Sequence, residues 1–595
     1  MIFLFLNNFF NDINLNKEDK FYLLFLFCFG IAITYVMIRF HQTRGAFNSD
    51  IFRYLPAALD FAGLNYNHIS DPSWMFNSPV IFYLTSILFK LGFVSIKSIF
   101  LVTGFFGFLG IFGMYVFLKS RFSPILSFTG AILYSSFSLT LFYFANGMLD
   151  TSAVAMILWT FIFVIAAANK NYKYYCLVAI SFVICIFVRF TTVYILSLII
   201  LYILKDHDPI MLFGFLFKDR CKFKQRLSDF FKSSEFKWML ISVIIAAILI
   251  SYVFYVLLAF KSQLGYFGMA TSSFSHFKGP STFNYVEDRL FYIKNFLSLL
   301  FSEKITSQGM IENFNTASIL SYLIFSVVIL GFCLKIIDLF KNRDFLKSNK
   351  KELSYWNKNS KIFFSLSVLI LLVISIVSLD YNYLVSLFSI WLIFLIIMSF
   401  IKQYPINRNN FVLSIICLGL FVFYLIIFSL MDLKCVRYIL PTFPAVVYFV
   451  IYSLDVILKF IRNGFDGKEI SNSLESENTI RDYVVKAIPL ILIIILLFTA
   501  FNFTNTVETD PIGVEIDNVS NYLIKHDSNY QNKSIGVKSG EMFYEWYFQK
   551  KIDVIDVDNL NSTDNYTYII TWPKLNNENY HELYHSGGTF LYEKI

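Results

Sequence analysis

The stretch SPVIFYLTSILFKLGFV, residues 78–94, decides how this chain is folded. It is apolar enough to enter a bilayer. Its core runs only from Val80 to Val94, however, opens after Ser78 and Pro79, and carries Lys90. A membrane helix needs about 20 apolar residues, so this stretch reads as a helix lying in the interface. Working outward, spans are expected near 21–39, 98–118, 124–144, 151–168, 174–188, 190–204, 238–260, 317–339, 362–379, 382–400, 411–430, 439–458 and 487–501. Basic residues concentrate on cytoplasmic loops, which tests the count. With thirteen spans and an inner N-terminus, the segments 1–20, 119–123, 169–173, 205–237, 341–361, 402–410 and 459–486 lie inside and hold 28 Lys and Arg. The outer connections 40–97, Arg189, 261–316 and 431–438 hold 12. Reading 78–94 as a fourteenth span puts Lys119, Arg121, Lys170 and Lys173 outside, or else inverts every later basic loop. Thirteen spans fit the charges.

Composition agrees. Of 595 residues, 57% are hydrophobic and only 15% charged, with a mean hydropathy of +0.61. A water-exposed surface carries about 25% charged residues, so a string of soluble domains is excluded and much of the surface must meet membrane lipids. The net charge of +8 follows the topology and does not point to nucleic acid. Five of the seven cysteines lie inside apolar runs and the last hundred residues have none, so no disulfide framework or cysteine metal site is expected. The first apolar run, 21–38, follows the mixed-charge KEDK (17–20) and leaves through RFHQ (39–42), with no small-residue cleavage site. It is expected to stay as the first span of a multi-pass protein of the cytoplasmic membrane.

Thirteen crossings put residues 502–595 outside. The N-x-S/T pattern supports that side, occurring at Asn502, Asn518, Asn532, Asn561 and Asn565 and nowhere else. The tail itself alternates β-type runs (534–537, 551–557, 566–572, 588–593) with stretches read as helical near 514–526, 540–549 and 577–586. The chain therefore divides into a helical membrane domain, 1–501, whose first outer loop is 40–97, and a small outer α/β domain, 502–595.

The first outer loop holds Asp50, Asp60, His68 and Asp71, then Trp74 and the interfacial helix. Loops of this length are uncommon unless functional. A further acid, Asp150, stands in NGMLDT (146–151) at the outer mouth of the fourth span. Two carboxylates at one membrane face, Asp50 and Asp150, are the groups a general base or a divalent-metal site would use. Asp150 at a helix start is equally suited to capping free N–H groups, and Asp50 to simple solvation. Asp60 and Asp71 read as structural. His68 and His276 are potential metal ligands, although lone loop histidines are usually not. The segment DLKCVRYILPTFP (432–444) places two cations, Lys434 and Arg437, at an outer boundary where the charge rule gives no reason for them. Facing a cavity at headgroup level they suit a lipid phosphate; the alternative is snorkelling. Arg189, in FVRF (187–190), makes a tight outer turn between two spans, where a cation is costly without a function.

At these residues the chain resembles the membrane glycosyltransferases of the GT-C fold, family 39 type, which include protein O-mannosyltransferases and the aminoarabinose transferases of lipid A. The resemblance runs over most of 21–460. It rests on SDIFRYLPA (49–57), SPVIFY (78–83), LDT (149–151), FVRF (187–190) and RYILPTFP (437–444), in that order and on one membrane side. Many members have an acidic pair in the first loop, where here Ile51 follows Asp50. Many carry Lys-Pro-Pro where this chain has NSP (77–79), so one phosphate-binding cation is missing. The resemblance implies transfer of a sugar from a polyprenyl-phosphate donor to a glycan, lipid or protein acceptor outside the cytoplasmic membrane. A hydroxyl acceptor is a weak nucleophile, so Asp50 would take its proton. Lys434, Arg437 and Arg189 would stabilise the departing phosphate, and attack from the opposite side would invert the anomeric centre. Asp150 would orient hydroxyls or share a metal with Asp50, and Tyr54, Tyr438 and His276 would support the site. No phosphate-cradling glycine loop occurs, which suits a lipid-linked donor.

Two other classes are open to the same residues. A polysaccharide polymerase or ligase also uses lipid-linked sugars and outer-face arginines, but has no need of the first-loop acid. A transporter or flippase would place charges near the bilayer midplane and repeat its halves, whereas here the ionisable residues gather at one face.

Overall fold

A computed structural model describes residues 16–44, 50–64, 75, 77–205, 228–259, 288–302, 317–341, 358–379, 381–402, 404, 407–431, 434–463, 475–507, 511–556, 565–572 and 574–595. The helical part comprises α1 (Lys17–Arg44), α2 (Ile51–Ala62), α3 (Pro79–Lys90), α4 (Ile96–Lys119), α5 (Pro124–Ser136), α6 (Ser138–Phe142), α7 (Asp150–Asn169), α8 (Tyr175–Val188) and α9 (Ile195–Ile203). It continues with α10 (Ser234–Ala259), α11 (Ile319–Lys341), α12 (Lys358–Ser378), α13 (Tyr383–Ile401), α14 (Arg408–Leu430), α15 (Phe443–Asn463) and α16 (Glu475–Thr506). Among the described residues nine helices are long and apolar enough to cross a membrane. The shorter apolar helices Tyr172–Val188, Phe190–Ile203 and Ile362–Ser378 coincide with expected spans as well. The protein is a multi-pass membrane protein.

The stretch that opened the reading is a helix of 12 residues, α3. Pro79 starts it, as suits a first-turn position whose N–H has no partner anyway. One face is buried (Ile81, Phe82, Thr85, Phe89), while Tyr83 and Ile87 are exposed, followed by Leu91 and Phe93. One expectation changes. The run 124–144 is not a single helix: Phe137 leaves the helical region (φ −62°, ψ 131°) between α5 and α6. The hydroxyls of Ser135 and Ser136 both donate to the Ile132 carbonyl, and the Ser138 hydroxyl beyond the break accepts from the Ser302 N–H at 3.1 Å. Side-chain bonds of this kind give the backbone an alternative to helix.

At the centre of the bundle α4 packs against α1, α5 and α7. Close approach there requires small residues. A Cβ at Gly104 would stand 2.8 Å from Thr34 and 3.0 Å from Ala145, and one at Gly107 would stand 2.6 Å from the Phe144 ring. The chain entering α7 is thus seated directly on α4.

The tail forms a five-stranded sheet, β1 (Ile535–Val537), β2 (Asp553–Val554), β3 (Tyr568–Thr571), β4 (Tyr580–Ser586) and β5 (Thr589–Lys594), in the order β2-β1-β3-β5-β4. The first three strands run parallel; β5 is antiparallel to β3 and to β4. Helices α17 (Pro511–His526) and α18 (Glu541–Phe548) cover one face of the sheet through Ile516, Val519, Leu523, Tyr544 and Phe548. The stretch 577–586, expected to be helical, is mostly strand β4. Its cause lies just beyond it: Gly587, at φ +57°, and Gly588 turn the chain into a hairpin, and pairing with β5 overrides the local helix preference of Glu582 and Leu583.

Candidate active site

Four residues singled out for charge, far apart in the chain, meet at one end of the bundle. Asp150 is in the first turn of α7 and is 2% exposed. The N-cap position before it is Leu149, whose apolar side chain cannot cap. The Oδ1 of Asp150 is paired with the Arg189 guanidinium, and its Oδ2 lies 3.8 Å from Arg437 Nε. Arg437 Nη2 donates to Asp50 Oδ2 at 2.8 Å. The result is a chain of alternating charges, Asp50, Arg437, Asp150, Arg189, whose formal sum is zero. A charge as buried as that of Asp150 would cost several kcal/mol if it stood alone, and the flanking guanidiniums supply the opposite charge.

Local sequence explains each placement. Asp50 occupies the N-cap position of α2 but makes no side-chain cap, so its carboxylate is turned to Arg437 while its carbonyl accepts from the Arg53 and Tyr54 N–H groups. Asp150 is delivered by a tight turn. The Asn146 side chain accepts from the Met148 N–H at 3.0 Å, and Gly147 adopts φ +83°. A Cβ at Gly147 would stand 3.1 Å from Ile51, the neighbour of Asp50, so this turn also seats the start of α2. Arg189 is in extended backbone between α8 and the 3₁₀ turn Phe190–Tyr194, and its carbonyl accepts from Thr192. Arg437 stands near the start of the 3₁₀ segment Val436–Thr442, whose preceding residue Cys435 is clamped on both backbone groups by the Tyr292 hydroxyl (2.8 Å and 3.2 Å). Burial pushes the Tyr292 phenol well above its ordinary value, so it remains a neutral donor.

The other expected site residues divide. Tyr438 joins the array: its ring lies 5.0 Å from the Arg189 guanidinium and 5.8 Å from that of Arg437, and it stacks on Phe428. Tyr54 is 3% exposed, packs on Phe82 and accepts from Asn77, tying α2 to the start of α3. Lys434 does something else. Its ammonium, 3% exposed, donates to the carbonyls of Phe428 (3.2 Å), Ser429 (2.6 Å) and Met431, closing the C-terminal end of α14. A lysine there satisfies orphan carbonyls and the helix dipole. Asp60 is half-buried on α2. His68, Asp71, Trp74 and His276 lie outside the described residues.

Tyr143 and Met148 were missed by sequence reasoning. Tyr143 is 1% exposed and within electrostatic range of Arg437, Asp50 and Arg189, and the Met148 sulfur lies 3.6 Å from Arg437 Nη1. The Asn146–Gly147 dipeptide, a turn signal, was the only pointer to them. A divalent metal would need oxygen ligands that are not committed to cations. Among the described residues no three His, Cys, Asp or Glu side chains gather as a metal site, and Asp50 and Asp150 each face a guanidinium.

Residues 76–213 match the family model for dolichyl-phosphate-mannose-protein mannosyltransferase. That stretch, less than half of the chain, runs from the start of α3 to beyond α9 and contains Asp150 and Arg189. The chain is similar over 96% of its length, and 98% of the other's, to the crystal structure of ArnT from Cupriavidus metallidurans bound to undecaprenyl phosphate, with a TM-score of 0.52 and 9% identity. Its fold is that of a GT-C membrane glycosyltransferase. The oligosaccharyltransferase AglB from Archaeoglobus fulgidus, in complex with an inhibitory peptide and a dolichol-phosphate, matches at a TM-score of 0.41 and 10% identity, over 91% of this chain and 69% of its own. No curated protein sequence matches. In this GT-C chain the acid–arginine array lies where α2, α7, the α8–α9 junction and the segment after α14 converge.

Proposed function

We propose that this protein transfers a sugar from a polyprenyl-phosphate-linked donor to a hydroxyl acceptor at the outer face of the cytoplasmic membrane, inverting the anomeric centre. The observation that carries the reading is the neutral array Asp50–Arg437–Asp150–Arg189, set on a GT-C scaffold.

The roles follow from burial. Asp150, the most enclosed of the four, serves as the fixed counter-ion that holds both guanidiniums in place. Asp50, 23% exposed, is the carboxylate that an arriving ligand can reach and release. A donor phosphate competes with Asp50 for Arg437, since guanidinium binds either anion through paired N–H groups. Once displaced from Arg437, Asp50 serves as the base beside the reacting centre. The acceptor oxygen then forms its bond to the anomeric carbon as its proton passes to Asp50. The bond from that carbon to the phosphate oxygen breaks, and its electron pair stays on the polyprenyl phosphate. Arg437 and Arg189 stabilise the added negative charge, the kind of preorganised stabilisation that dominates many enzymes. The leaving group is already a phosphate and needs no proton. Neither Asp50 nor Asp150 is assigned to a metal, and no step here runs through one. Donor binds first and acceptor second, because the base is exposed only by the donor.

The test is a deletion strain complemented with the wild-type chain or with Asp50→Asn, followed by mass spectrometry of lipid-linked sugars and envelope glycans. Loss of this chain is expected to leave one glycan a residue short and its lipid-linked donor in excess. Asp50→Asn, present in the membrane at normal level, is expected to reproduce that pattern, since a general base contributes about 10²–10⁴-fold. Full restoration of the glycan by Asp50→Asn overturns the mechanism.

A further inference from the structure

Helix α18 has two faces, and they belong to different parts of the molecule. Tyr544 and Phe548, four residues apart, are buried in the tail's own core with Ile535, Val537 and Tyr568. Trp546 is a buried member of the large core of the helical bundle, and Phe543 and Tyr547 touch both. Residues three and four apart share a helix face, so 543, 546 and 547 form one aromatic strip directed at the bundle. The Phe543 ring lies 4.6 Å from that of Phe52, with Tyr547 6.5 Å from the same ring, and Trp546 stacks on Phe89 of α3 at 6.2 Å. Left-handed residues close both ends of this two-turn helix, Gly540 at φ +74° and Gln549 at φ +51°.

Phe52 is two residues beyond Asp50. At about 100° per residue the two side chains leave the start of α2 on nearly opposite sides: Asp50 to Arg437, Phe52 to the tail. Helix α2 has 12 residues and carries Pro56 in its interior, which removes one hydrogen bond from its ladder. A helix this short has little stability of its own and is held by what it packs on. Its seats are Gly147 under Ile51, α3 along its side, and the aromatic strip of α18 over Phe52.

We propose that the aromatic strip of α18 (Phe543, Trp546, Tyr547) is a positioning element for the transfer site, fixing through Phe52 and α3 the place where the Asp50 carboxylate stands. The tail thereby sets the turnover of a site to which it contributes no reacting group. This rests on the reading of Asp50 as the base. A base displaced by about 1 Å loses on the order of 10²-fold in rate. Donor binding uses Arg437 and Arg189, which are anchored elsewhere, and is not weakened; where Asp50 loosens its hold on Arg437, the phosphate meets less competition.

The experiment is steady-state transfer by the full chain in lipid nanodiscs, with Phe543→Ala, Trp546→Ala, Phe543→Leu, Trp546→Phe, Asp50→Asn and the tail-surface control Lys574→Ala. Binding of polyprenyl phosphate is measured on every variant. The alanine variants are expected to lose tenfold or more in kcat with carrier binding no weaker than in wild type. The leucine and phenylalanine variants are expected to recover most of that loss, and Lys574→Ala to behave as wild type. A packing role alone would lower kcat and carrier binding together, and that result overturns the proposal. Unchanged kcat in both alanine variants, with Asp50→Asn inactive, also overturns it. An active Asp50→Asn overturns the underlying reading instead, whatever α18 does. Should the alanine variants not fold, a double-mutant cycle between Phe52→Leu and Phe543→Leu decides: coupling in kcat supports positioning, and simple additivity refutes it.

Discussion

Lys434 and Arg437 look like twins in the sequence, two cations three residues apart at one membrane boundary, but the structure holds them differently, Lys434 on backbone carbonyls and Arg437 on Asp50, and the proposed function gives them different duties. Replacing each by methionine separates the duties. In Lys434→Met, the carbonyls of Phe428, Ser429 and Met431 lose a buried ammonium. A hydrogen bond involving a charged group contributes about 1.5–3 kcal/mol, and a cation at a helix C-terminus up to ~2 kcal/mol. These terms overlap, so the expected loss of stability is about 3–5 kcal/mol, the range for removing one partner of a buried charged contact. Affinity for polyprenyl phosphate is expected to stay within about threefold, below 1 kcal/mol. In Arg437→Met the phosphate loses a charge-assisted contact of about 1.5–3 kcal/mol, or about 10- to 150-fold in Kd at 1.4 kcal/mol per decade. Its stability loss is the smaller of the two, because Asp150 keeps Arg189 and Asp50 is 23% exposed and can hydrate. The assay is thermal denaturation of both proteins in nanodiscs, paired with calorimetric titration of polyprenyl phosphate. A large fall in affinity for Lys434→Met at unchanged stability refutes the helix-end assignment. Normal affinity in Arg437→Met refutes the phosphate role.

Two further outcomes follow from particular contacts. Gly147→Ala forces a side chain onto φ +83° and against Ile51, at a cost of about 1–3 kcal/mol; transfer activity is expected to fall while Ala145→Gly, at the neighbouring φ of +55°, keeps it, and equal behaviour of the two would remove the turn from the account. In the tail, burial pushes the Asp527 carboxyl up, but the Asn529 N–H, Lys533 and Tyr568 outweigh it and hold the group below the usual carboxylate range. Its contribution is therefore complete above about pH 4, the unfolded value, and disappears as pH falls through the folded value. The Tyr568 hydroxyl and then Asp527 raise Lys533, whose contribution is complete below about pH 10.5 and lost only at higher pH. Protection of the sheet amides, taken relative to their intrinsic exchange rate at each pH, is expected to be flat between neutrality and about pH 5 and to fall below it, and Asp527→Asn to blunt that acid limb; an acid limb unchanged in Asp527→Asn would assign it to other groups.

The helical bundle was legible because lipid imposes one rule on every residue of a span, and hydropathy reads that rule directly. Charge at a membrane boundary was almost as informative: Asp50 and Asp150 were singled out as two carboxylates at one membrane face, Arg437 as a cation the charge rule does not explain and Arg189 as a costly one, and the four meet. Their pairing was not legible. Arg437 is 387 residues from Asp50, and nothing local in either segment says which cation answers which acid. Lys434 was singled out by the same boundary argument as Arg437, and nothing local tells that its ammonium reaches back to the carbonyls ending α14, since Cys435 is extended and the 3₁₀ segment starts only at Val436. The tail failed where tertiary pairing overruled propensity, at β4, and succeeded where short apolar runs are buried along their whole length, as in β1 and β3. Asp150 resembled a helix cap until its carboxylate was seen to be held by two arginines.

The zero sum of the acid–arginine array bears on which anions this protein notices. An uncompensated pair of arginines at the lipid surface would be coated by whatever headgroups are most abundant. With Asp50 already occupying Arg437 and Asp150 occupying Arg189, a passing phospholipid gains nothing by entering, because it must first evict an internal rival of equal charge. Only a molecule that adds attraction elsewhere, along a long prenyl tail or through sugar hydroxyls, tips that competition. In the proposed function, discrimination of this sort works by indifference to the crowd: the protein would carry its own decoy, and the rare carrier would be the one guest able to dislodge it.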